Sequence, residues 1–296
     1  MSTSLEKTEG LLLRWKSPSV IDGSIFGLIE CDLEVPERLK DFFAEMPPIF
    51  KNTNISREDI GEHMQRYAER EGMMKTPRRS LIGSMFASRL FFATPLLRWY
   101  LLHGLKVTQI YQVVQFAQSP CFKPFGEAVS NARRDGDVDP TKAIIADTMK
   151  LLGNSAYGKT VTNQEKHLDV KLCNTVKEVA DLINNPLFRA LHTLDESRLY
   201  EVELNKKSVR LNLPLHIGYF VYQYAKLRML QFYYDFTIKF IETSDFQLCE
   251  IDTVSLYMAI AGDSLDSIIK AHLREDYQRA PTSFPPRKAL YTLLAS

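Results

Sequence analysis

The sequence predicts an α+β fold, in which strands of antiparallel sheets are covered by helices. Three observations carry this prediction. Apolar and polar residues alternate over short runs bounded by Pro or Gly, as in strands with one buried face. Longer stretches repeat their apolar residues every three to four positions, as helices do. The 296 residues, 45% of them apolar, suffice for a sizeable core in one large or two ordinary domains.

The chain is expected to begin with a leader that has little structure of its own, residues 1–24, which are mostly polar. Residues 25–35 alternate well enough to predict a strand, and Pro36 would end it because proline cannot donate to a sheet ladder. A short helix is predicted over residues 37–44.

Two helices are predicted next. Ser56 stands three residues before Asp59, which is close to a capping box, and Gly72 would end the helix that follows. Residues 81–102 are strongly apolar and predict a buried core helix with Pro95 near its middle.

The middle of the chain contains stretches with the strand period of two residues and stretches with the helical period of about 3.6 residues. Residues 106–116, KVTQIYQVVQF, alternate and are rich in β-branched and aromatic residues, which predicts a strand. Helices are predicted over 127–134 and 141–157, separated by the turn sequence DGDVDP. Residues 168–204 are predicted to contain two weak strands and a helix over 175–183.

Toward the C-terminus, residues 213–241 carry aromatic residues at helical spacing. We interpret them as one long helix packed on a sheet rather than a base-stacking platform. His216 has no second histidine at metal-ligand spacing, so a metal site built on imidazole is not expected. Residues 247–260 predict a hairpin with residues 252–254 at its tip.

Charge and cysteine content narrow the classes of function. The formal net charge is +1, so contact with nucleic acid must come from local patches rather than a global positive field. The four cysteines form no C-x-x-C pair, which argues against a zinc ribbon or a disulfide framework and favours a reducing compartment. No apolar run reaches transmembrane length and no signal-peptide core is present, so we expect an intracellular protein that is neither secreted nor membrane-bound.

The stretch KAIIADTMKLLGNSAYGKT, residues 142–160, allows two interpretations. Its second half, Gly153 to Thr160, fits the phosphate-loop pattern G-x-x-x-x-G-K-[ST], in which backbone N–H groups and Lys159 would hold the phosphates of a nucleotide. The residues in front of that pattern are good helix formers without strand-like alternation, which favours a continuous helix.

In the helical interpretation, Lys150, Asn154 and Tyr157 share one face. The run Lys150-x-x-x-Asn154-Ser155-x-Tyr157-Gly158 resembles motif B of family B DNA polymerases, whose pattern is K-x-x-x-N-S-x-Y-G. The runs 95–125 and 213–240 are similar to the protein-primed branch of that family, which is found in linear plasmids, some viruses and large self-replicating DNA transposons. The resemblance spans about residues 25–273.

This resemblance implies a palm-type, mainly antiparallel sheet with packed helices and a helical fingers hairpin that closes over an incoming dNTP. In the family, the motif B lysine meets the triphosphate, the tyrosine packs near the templating base, and the glycine permits close approach of the base pair. The matching residues here are Lys150, Tyr157 and Gly158, with Asn154 and Ser155 lining the pocket.

The resemblance assigns five further cations to ligand binding. Lys142 and Arg134 would assist at the triphosphate. The basic cluster of Lys75, Arg78 and Arg79 would contact DNA phosphates.

Asp252-Thr-Val-Ser resembles motif C, D-T-D-S, with Val254 in place of the second aspartate. In the family, Mg²⁺ is held mainly by that aspartate and by one from motif A, D-x-x-S-L-Y-P, which occurs nowhere in this sequence. Asp252 is thus the remaining catalytic and metal-binding carboxylate of an incomplete Mg²⁺ site, and Asp32 or Glu250 would be a weak replacement. We therefore expect no turnover by this chain alone.

The resemblance also implies domains and partners. The expected domains are the leader (1–24), a palm-associated region downstream of the missing motif A (25–125), fingers (126–163), palm with the motif C hairpin (164–262) and a truncated tail without a proper thumb (263–296). The expected partners are template–primer DNA, dNTP and a terminal protein primer, with no membrane. Two alternatives stay open, a phosphate-loop NTPase and a non-enzymatic remnant of a mobile element.

Overall fold

A computed structural model describes residues 17–72, 77–195, 199–252 and 255–279. It confirms a mixed α+β fold, and the strand pairs within these ranges are antiparallel. The strands are β1 (Gly27–Glu34), β2 (Ile49–Ile55), β3 (Arg78–Ser84), β4 (Phe86–Ala93), β5 (Lys106–Gln115), β6 (Leu168–Cys173), β7 (Phe188–Asp195), β8 (Leu199–Asn205), β9 (Phe246–Asp252) and β10 (Ser255–Ile260).

The helices complete the architecture. They are α1 (Ser17–Ile21), α2 (Glu62–Arg70), α3 (Thr94–Leu102), α4 (Lys123–Val138), α5 (Ala143–Thr160), α6 (Val176–Ile183), α7 (Leu215–Leu230), α8 (Ile238–Phe240) and α9 (Arg274–Arg279). A π-helical segment, Gln231–Thr237, connects α7 to α8. Along the described ranges, none of the helices combines the length and apolar content that crossing a bilayer requires.

The chain divides into two compact units, Met1–Ser119 with Tyr222–Ser296 and Pro120–Val221. These limits differ from the expected domain boundaries, because residues 164–221 fall in the same unit as the helical hairpin and not with the strands of the expected palm. Each unit has its own core of buried apolar side chains.

In the first unit, a three-stranded sheet of order β4-β1-β5 supports the main core. The sequence alternation of β1 is reproduced in space, since Ile29, Cys31 and Leu33 are at most 1% exposed and the residues between them face the other side. The antiparallel pair β2–β3 and the hairpin β9–β10 form separate two-stranded sheets in this unit.

Aromatic side chains from three segments fill this core. Tyr234 of the π-helical segment packs against Phe43 and Trp99, with ring centroids 4.8 and 5.8 Å away. Two buried hydroxyls reach backbone carbonyls, Tyr100 at Pro48 and Tyr234 at Met46, each at 2.7 Å. Because both hydroxyls are paired, their burial carries no unsatisfied polar group.

The second unit contains the α4–α5 hairpin and a three-stranded sheet of order β6-β8-β7 covered on one face by α6. The Thr175 hydroxyl caps α6 by accepting from the Glu178 amide at 3.3 Å. The core beneath α6 consists of buried side chains from helix and sheet, namely Cys173, Val179, Val202 and Leu204. A third strand is present where the sequence predicted two.

The predicted core helix over residues 81–102 is wrong for its first half. Residues up to Ser84 belong to β3, residues 86–93 form β4, and only Thr94–Leu102 is helical. Pro95 stands in the first turn of α3, where its missing N–H costs nothing, rather than near a helix centre. Apolar residues on both faces of β4 conceal the strand period of two. The pairing of β4 with β1, which is distant in sequence, cannot be predicted from the residues around β4.

Two other element boundaries need correction. The predicted helix over 37–44 is a short 3-10 turn, Glu37–Leu39, followed by irregular turns. The first helix of the hairpin is twice as long as predicted, Lys123–Val138, because it begins four residues earlier and because Asp135 to Val138 of the expected turn sequence are helical. The chain reverses at Asp139 to Lys142 instead.

Candidate functional site

The stretch that allowed two interpretations is one uninterrupted helix. Helix α5 runs from Ala143 to Thr160, so the helical interpretation is confirmed. A phosphate loop needs non-helical backbone between a strand and a helix, and Gly153 to Thr160 lies wholly inside α5. The phosphate-loop interpretation of these residues is therefore wrong.

Helices α4 and α5 form an antiparallel hairpin held by small residues and one ion pair. A Cβ added to Gly136 would lie 2.4 Å from Cβ of Ala146, and one added to Gly153 would lie 3.2 Å from the Val129 side chain. These two glycines therefore permit the close packing of the helices. The Arg133 guanidinium reaches Asp147 across the hairpin at 3.1 Å.

Three of the motif B residues occupy one side of α5. At about 100° per residue, Lys150, Asn154 and Tyr157 fall within an arc of roughly 60°. Lys150 and Asn154 are exposed, whereas Tyr157 is half-buried beside the surface that packs on α4. A cation, an amide and an aromatic edge are thus presented together along about two helical turns, which suits a ligand with anionic and planar parts.

Gly158 differs from Gly136 and Gly153, and it shares its open surroundings with Gly126 of α4. A Cβ added there would meet no described atom within 4 Å, so packing inside the described part of the chain does not require glycine. Glycine in a helix interior costs about 1 kcal/mol relative to alanine. The packing of the described residues therefore explains neither Gly126 nor Gly158, and a ligand that approaches the backbone would be a reason for glycine.

Three of the residues expected near the nucleotide lie elsewhere. Ser155 is about 140° around α5 from Lys150, so it does not share that face. Lys142 precedes α5, and its Nζ lies 4.0 Å from the carboxylates of Asp135 and Asp139. Arg134 donates to Asn131 of its own helix at 3.1 Å. The side chains of Lys142 and Arg134 therefore make contacts within the hairpin itself.

Arg133 is the arginine that sequence reasoning missed. Its guanidinium, rather than that of Arg134, bridges the two helices to Asp147. The opposite charges at these two positions were visible in the sequence. The pairing depends on where the chain reverses, and the expected reversal was misplaced by several residues.

The expected motif C hairpin is formed by β9 and β10, and Asp252 pairs with Ser255 in its register. Thr253 and Val254 lie outside the described residues, as does the side chain of Asp252. Glu250 is exposed and pairs with Tyr257. The sequence lacks both principal aspartates that the family uses for Mg²⁺, the second of motif C and the one of motif A, so these residues do not fit a complete two-ion site.

Asp32, the weak candidate for a replacement ligand, has a structural role, because both of its oxygens accept hydrogen bonds within the sheet. The backbone N–H of Arg89 donates to Oδ1 at 2.7 Å, and the Tyr111 hydroxyl donates to Oδ2 at 2.9 Å. Strand β4 has one extra residue opposite Asp32, and Arg89 there has a φ of 50°. The Arg89 guanidinium also pairs with Glu30 at 3.2 Å. Asp32 thus serves to close a bulge.

Hydrogen bonds at this bulge also shift the pKa values of Asp32 and Tyr111. The Arg89 amide, followed by the hydroxyls of Tyr111 and Ser88, holds the pKa of Asp32 below its ordinary value. The hydrogen bond to Asp32 raises the pKa of the Tyr111 hydroxyl. Both shifts favour the charged carboxylate bonded to a neutral phenol.

The expected DNA-contacting cluster is only partly described. Lys75 lies outside the described residues. Arg78 and Arg79 begin β3, opposite Ile55 and Asn54, and both are exposed.

No protein-family model, curated protein or solved structure matches this chain. The resemblance to family B polymerases therefore rests on the motifs of the sequence.

Proposed function

We propose that this chain is the palm-and-fingers portion of a protein-primed, family B DNA polymerase, that it binds dNTP and primed DNA, and that it has no nucleotidyl transfer activity of its own. The observation that carries the proposal is Gly158, the last residue of the motif B pattern. It stands in a helix that would be more stable with alanine, and no described neighbour needs the space. Close approach of a base pair would explain the glycine.

The neighbours of Gly158 on α5 supply complementary chemistry. Lys150, two turns earlier and about 80° away around the helix, offers an exposed ammonium that suits a triphosphate. Tyr157, which is half-buried, directly precedes the open glycine in the chain. A bound nucleotide would place its anionic triphosphate near the ammonium and its planar base near the tyrosine ring. The base pair could then approach the backbone closely at the glycine.

The chain is proposed to bind its substrates without catalysing nucleotidyl transfer. The α5 residues bind through side chains that are present, whereas phosphoryl transfer requires metal ions held by several carboxylates. The sequence contains Asp252 but neither the second motif C aspartate nor a D-x-x-S-L-Y-P segment. Binding without catalysis therefore follows.

Primed DNA is the second proposed ligand. With a net charge of +1, the chain has no global field for DNA, so binding would depend on local cations such as Arg78 and Arg79. DNA affinity should fall steeply with salt, because phosphate contacts release counterions.

Two lysines on α5 provide a matched test. Lys150 and Lys159 are both exposed and stand about 180° apart around the helix. We expect Lys150→Ala to weaken dATP binding to the chain on a primer–template at least about tenfold, which is about 1.4 kcal/mol. Lys159→Ala should leave the affinity within about twofold. Calorimetric titration of dATP measures both.

Several results would contradict the assignment. Equal losses in the two variants would indicate unspecific attraction of the triphosphate, and a loss confined to Lys159→Ala would place the nucleotide on the other side of α5. No measurable dATP binding by the unmodified chain would remove the proposal altogether.

Primer extension tests the absence of turnover. The unmodified chain should extend no primer with Mg²⁺ or Mn²⁺. A version that combines Val254→Asp with a fused motif A segment should regain extension, because both principal carboxylates would then be present. Extension by the unmodified chain would show that other carboxylates hold the metal ions.

A further inference from the structure

The second unit brings together a histidine and two glutamates that lie far from the motif B residues in sequence. His192 of β7 stands opposite Glu201 of β8 in the sheet register, and Glu203 follows two residues later on the same strand. One imidazole nitrogen and one oxygen from each carboxylate all lie within 4.8 Å of one another. The absence of a second histidine therefore does not exclude imidazole ligation here, contrary to the expectation from sequence spacing.

Strand geometry explains why these side chains share a face. Residues alternate between the two faces of a strand, and Tyr200, Val202 and Leu204 point toward α6. Glu201 and Glu203 consequently face the opposite side of the sheet. They lie on the central strand, where His192 can approach from β7.

The two carboxylates are poorly compensated where they lie. Glu203 is only 24% exposed, and its oxygens are 3.9 Å from Arg189 and 3.8 Å from His192, too far for hydrogen bonds. Among the described residues, no side chain donates a hydrogen bond to either glutamate. Two half-buried like charges two residues apart repel each other, and a cation between them would relieve that repulsion.

We propose that His192, Glu201 and Glu203 form a binding site for a transition-metal ion of the zinc class. Imidazole together with carboxylate suits Zn²⁺ and its neighbours, whereas Mg²⁺ and Ca²⁺ prefer oxygen ligands alone. Bonds of about 2.0–2.2 Å would bring the ligand atoms to roughly 3.4 Å from one another, so the side chains must close in on the ion. The half-exposed His192 can make that movement.

The site would differ in kind from the expected Mg²⁺ site at Asp252. Three protein ligands leave at least one coordination position for water or another ligand, as in open rather than structural zinc sites. The ion would also join β7 to β8 near positions where their register shifts, between Phe188 and Ala190 and between Thr193 and Asp195. This inference goes beyond the proposed polymerase function and does not depend on it.

Calorimetric titration of the full chain with zinc chloride tests the site. The background should carry Cys121→Ser and Cys249→Ser, because these exposed thiols could bind zinc themselves. We expect saturable binding of one ion. His192→Ala and Glu203→Gln should each lower its affinity at least about tenfold, by analogy with the loss of partners in known metal sites.

Matched controls come from the same unit. His167→Ala and Glu165→Gln alter exposed residues of the same types and should leave zinc affinity unchanged. Arg189→Gln should raise the affinity, because it removes a competing cation from Glu203. An unspecific surface site would lose no more affinity in His192→Ala than in His167→Ala.

A second readout distinguishes binding from misfolding. Saturating zinc should raise the melting temperature of the background protein and the His167→Ala variant, and should not raise that of His192→Ala. Zinc affinity unchanged in His192→Ala, or no zinc binding by the background protein, would overturn the proposal.

Discussion

The Nε2 atom of His103 lies 2.7 Å from Oδ1 of Asp235, which joins the end of α3 to the π-helical segment of the same unit. The other carboxylate oxygen accepts from the Trp99 indole N–H at 2.9 Å. The His103 ring also stacks on Trp99, with centroids 3.7 Å apart. One carboxylate thus satisfies two side chains that packing holds in place.

Replacing Asp235 should destabilise the first unit. Asp235→Ala leaves the Trp99 N–H and the His103 ring without their acceptor, and hydrogen bonds to a charged group are worth about 1.5–3 kcal/mol each before exposure is taken into account. Since the carboxylate is about one-third exposed, we expect the free energy of unfolding to fall by about 2 kcal/mol. Urea unfolding followed by tryptophan fluorescence measures it.

Asp263→Ala is the control for this substitution, because Asp263 is an exposed aspartate of the same unit. It should change the unfolding free energy by no more than about 0.5 kcal/mol. Equal effects of the two variants would mean that the contact of Asp235 with His103 and Trp99 is not what stabilises the unit.

Glycine substitutions in the α4–α5 hairpin should act in opposite directions. Gly158→Ala should stabilise the second unit by about 0.5–1 kcal/mol, because alanine is the better helix former and the space is open. Gly136→Ala should destabilise it, since the added Cβ would collide with Ala146. Thermal unfolding of the two variants decides the signs.

Gly158→Ala should also change the binding of nucleotide. If Gly158 is kept for a ligand, Gly158→Ala should bind dATP on a primer–template more weakly while it melts at a higher temperature. A variant that is both more stable and fully competent to bind would leave the glycine unexplained and would weaken the proposed function.

Local periodicity was sufficient to predict the strands β1 and β5, the helix α5 and the hairpin β9–β10. In β1 the apolar pattern matches the buried face, as the alternation of Ile29, Cys31 and Leu33 shows, whereas α5 leaves its apolar residues Ile144, Ile145, Leu151 and Leu152 exposed. It failed for residues 81–93, where apolar residues on both faces conceal the strand period and the partner strands β1 and β2 lie far away in sequence.

The candidate sites were predictable to different degrees. Lys150, Asn154 and Tyr157 share a face because helical spacing alone determines it. The exclusion of Ser155 follows from the same spacing. The approach of His192 to Glu203 depends on which strands pair and in what register, and the sequence does not show either.

Thiol reactivity should separate the four cysteines into two classes. Cys121 and Cys249 are exposed, whereas Cys31 and Cys173 are buried. Burial, with the charges of Asp32 and Glu30, raises the pKa of the Cys31 thiol to about 12, so its reactive thiolate is scarce at neutral pH. An Ellman titration of the native protein should show two fast thiols and two that react only in denaturant. Four equally fast thiols would contradict the buried positions of β1 and β6.

The contribution of Asp32 to stability should depend on pH. The Arg89 amide holds the pKa of the folded carboxyl below the ordinary 3.8, so the unfolded chain takes up the proton first as the pH falls. The stabilisation by Asp32 is therefore fully present above about pH 5 and is lost as the pH falls through 3.8 toward the lowered pKa.

Asp32→Asn isolates this contribution, since Asp22 and Asp59 also have lowered pKa values and would titrate in the wild-type curve. Urea unfolding of both proteins between pH 3 and pH 7 should give a difference in unfolding free energy that is constant near neutrality and shrinks below 3.8. Asp41→Asn, at an exposed aspartate outside the sheet, serves as the control. A difference that stays the same at pH 3 and pH 6 would mean that Asp32 stabilises the bulge through its two acceptor oxygens whatever their charge, because asparagine has only one acceptor oxygen at any pH. The charge of the carboxylate would be excluded as the cause.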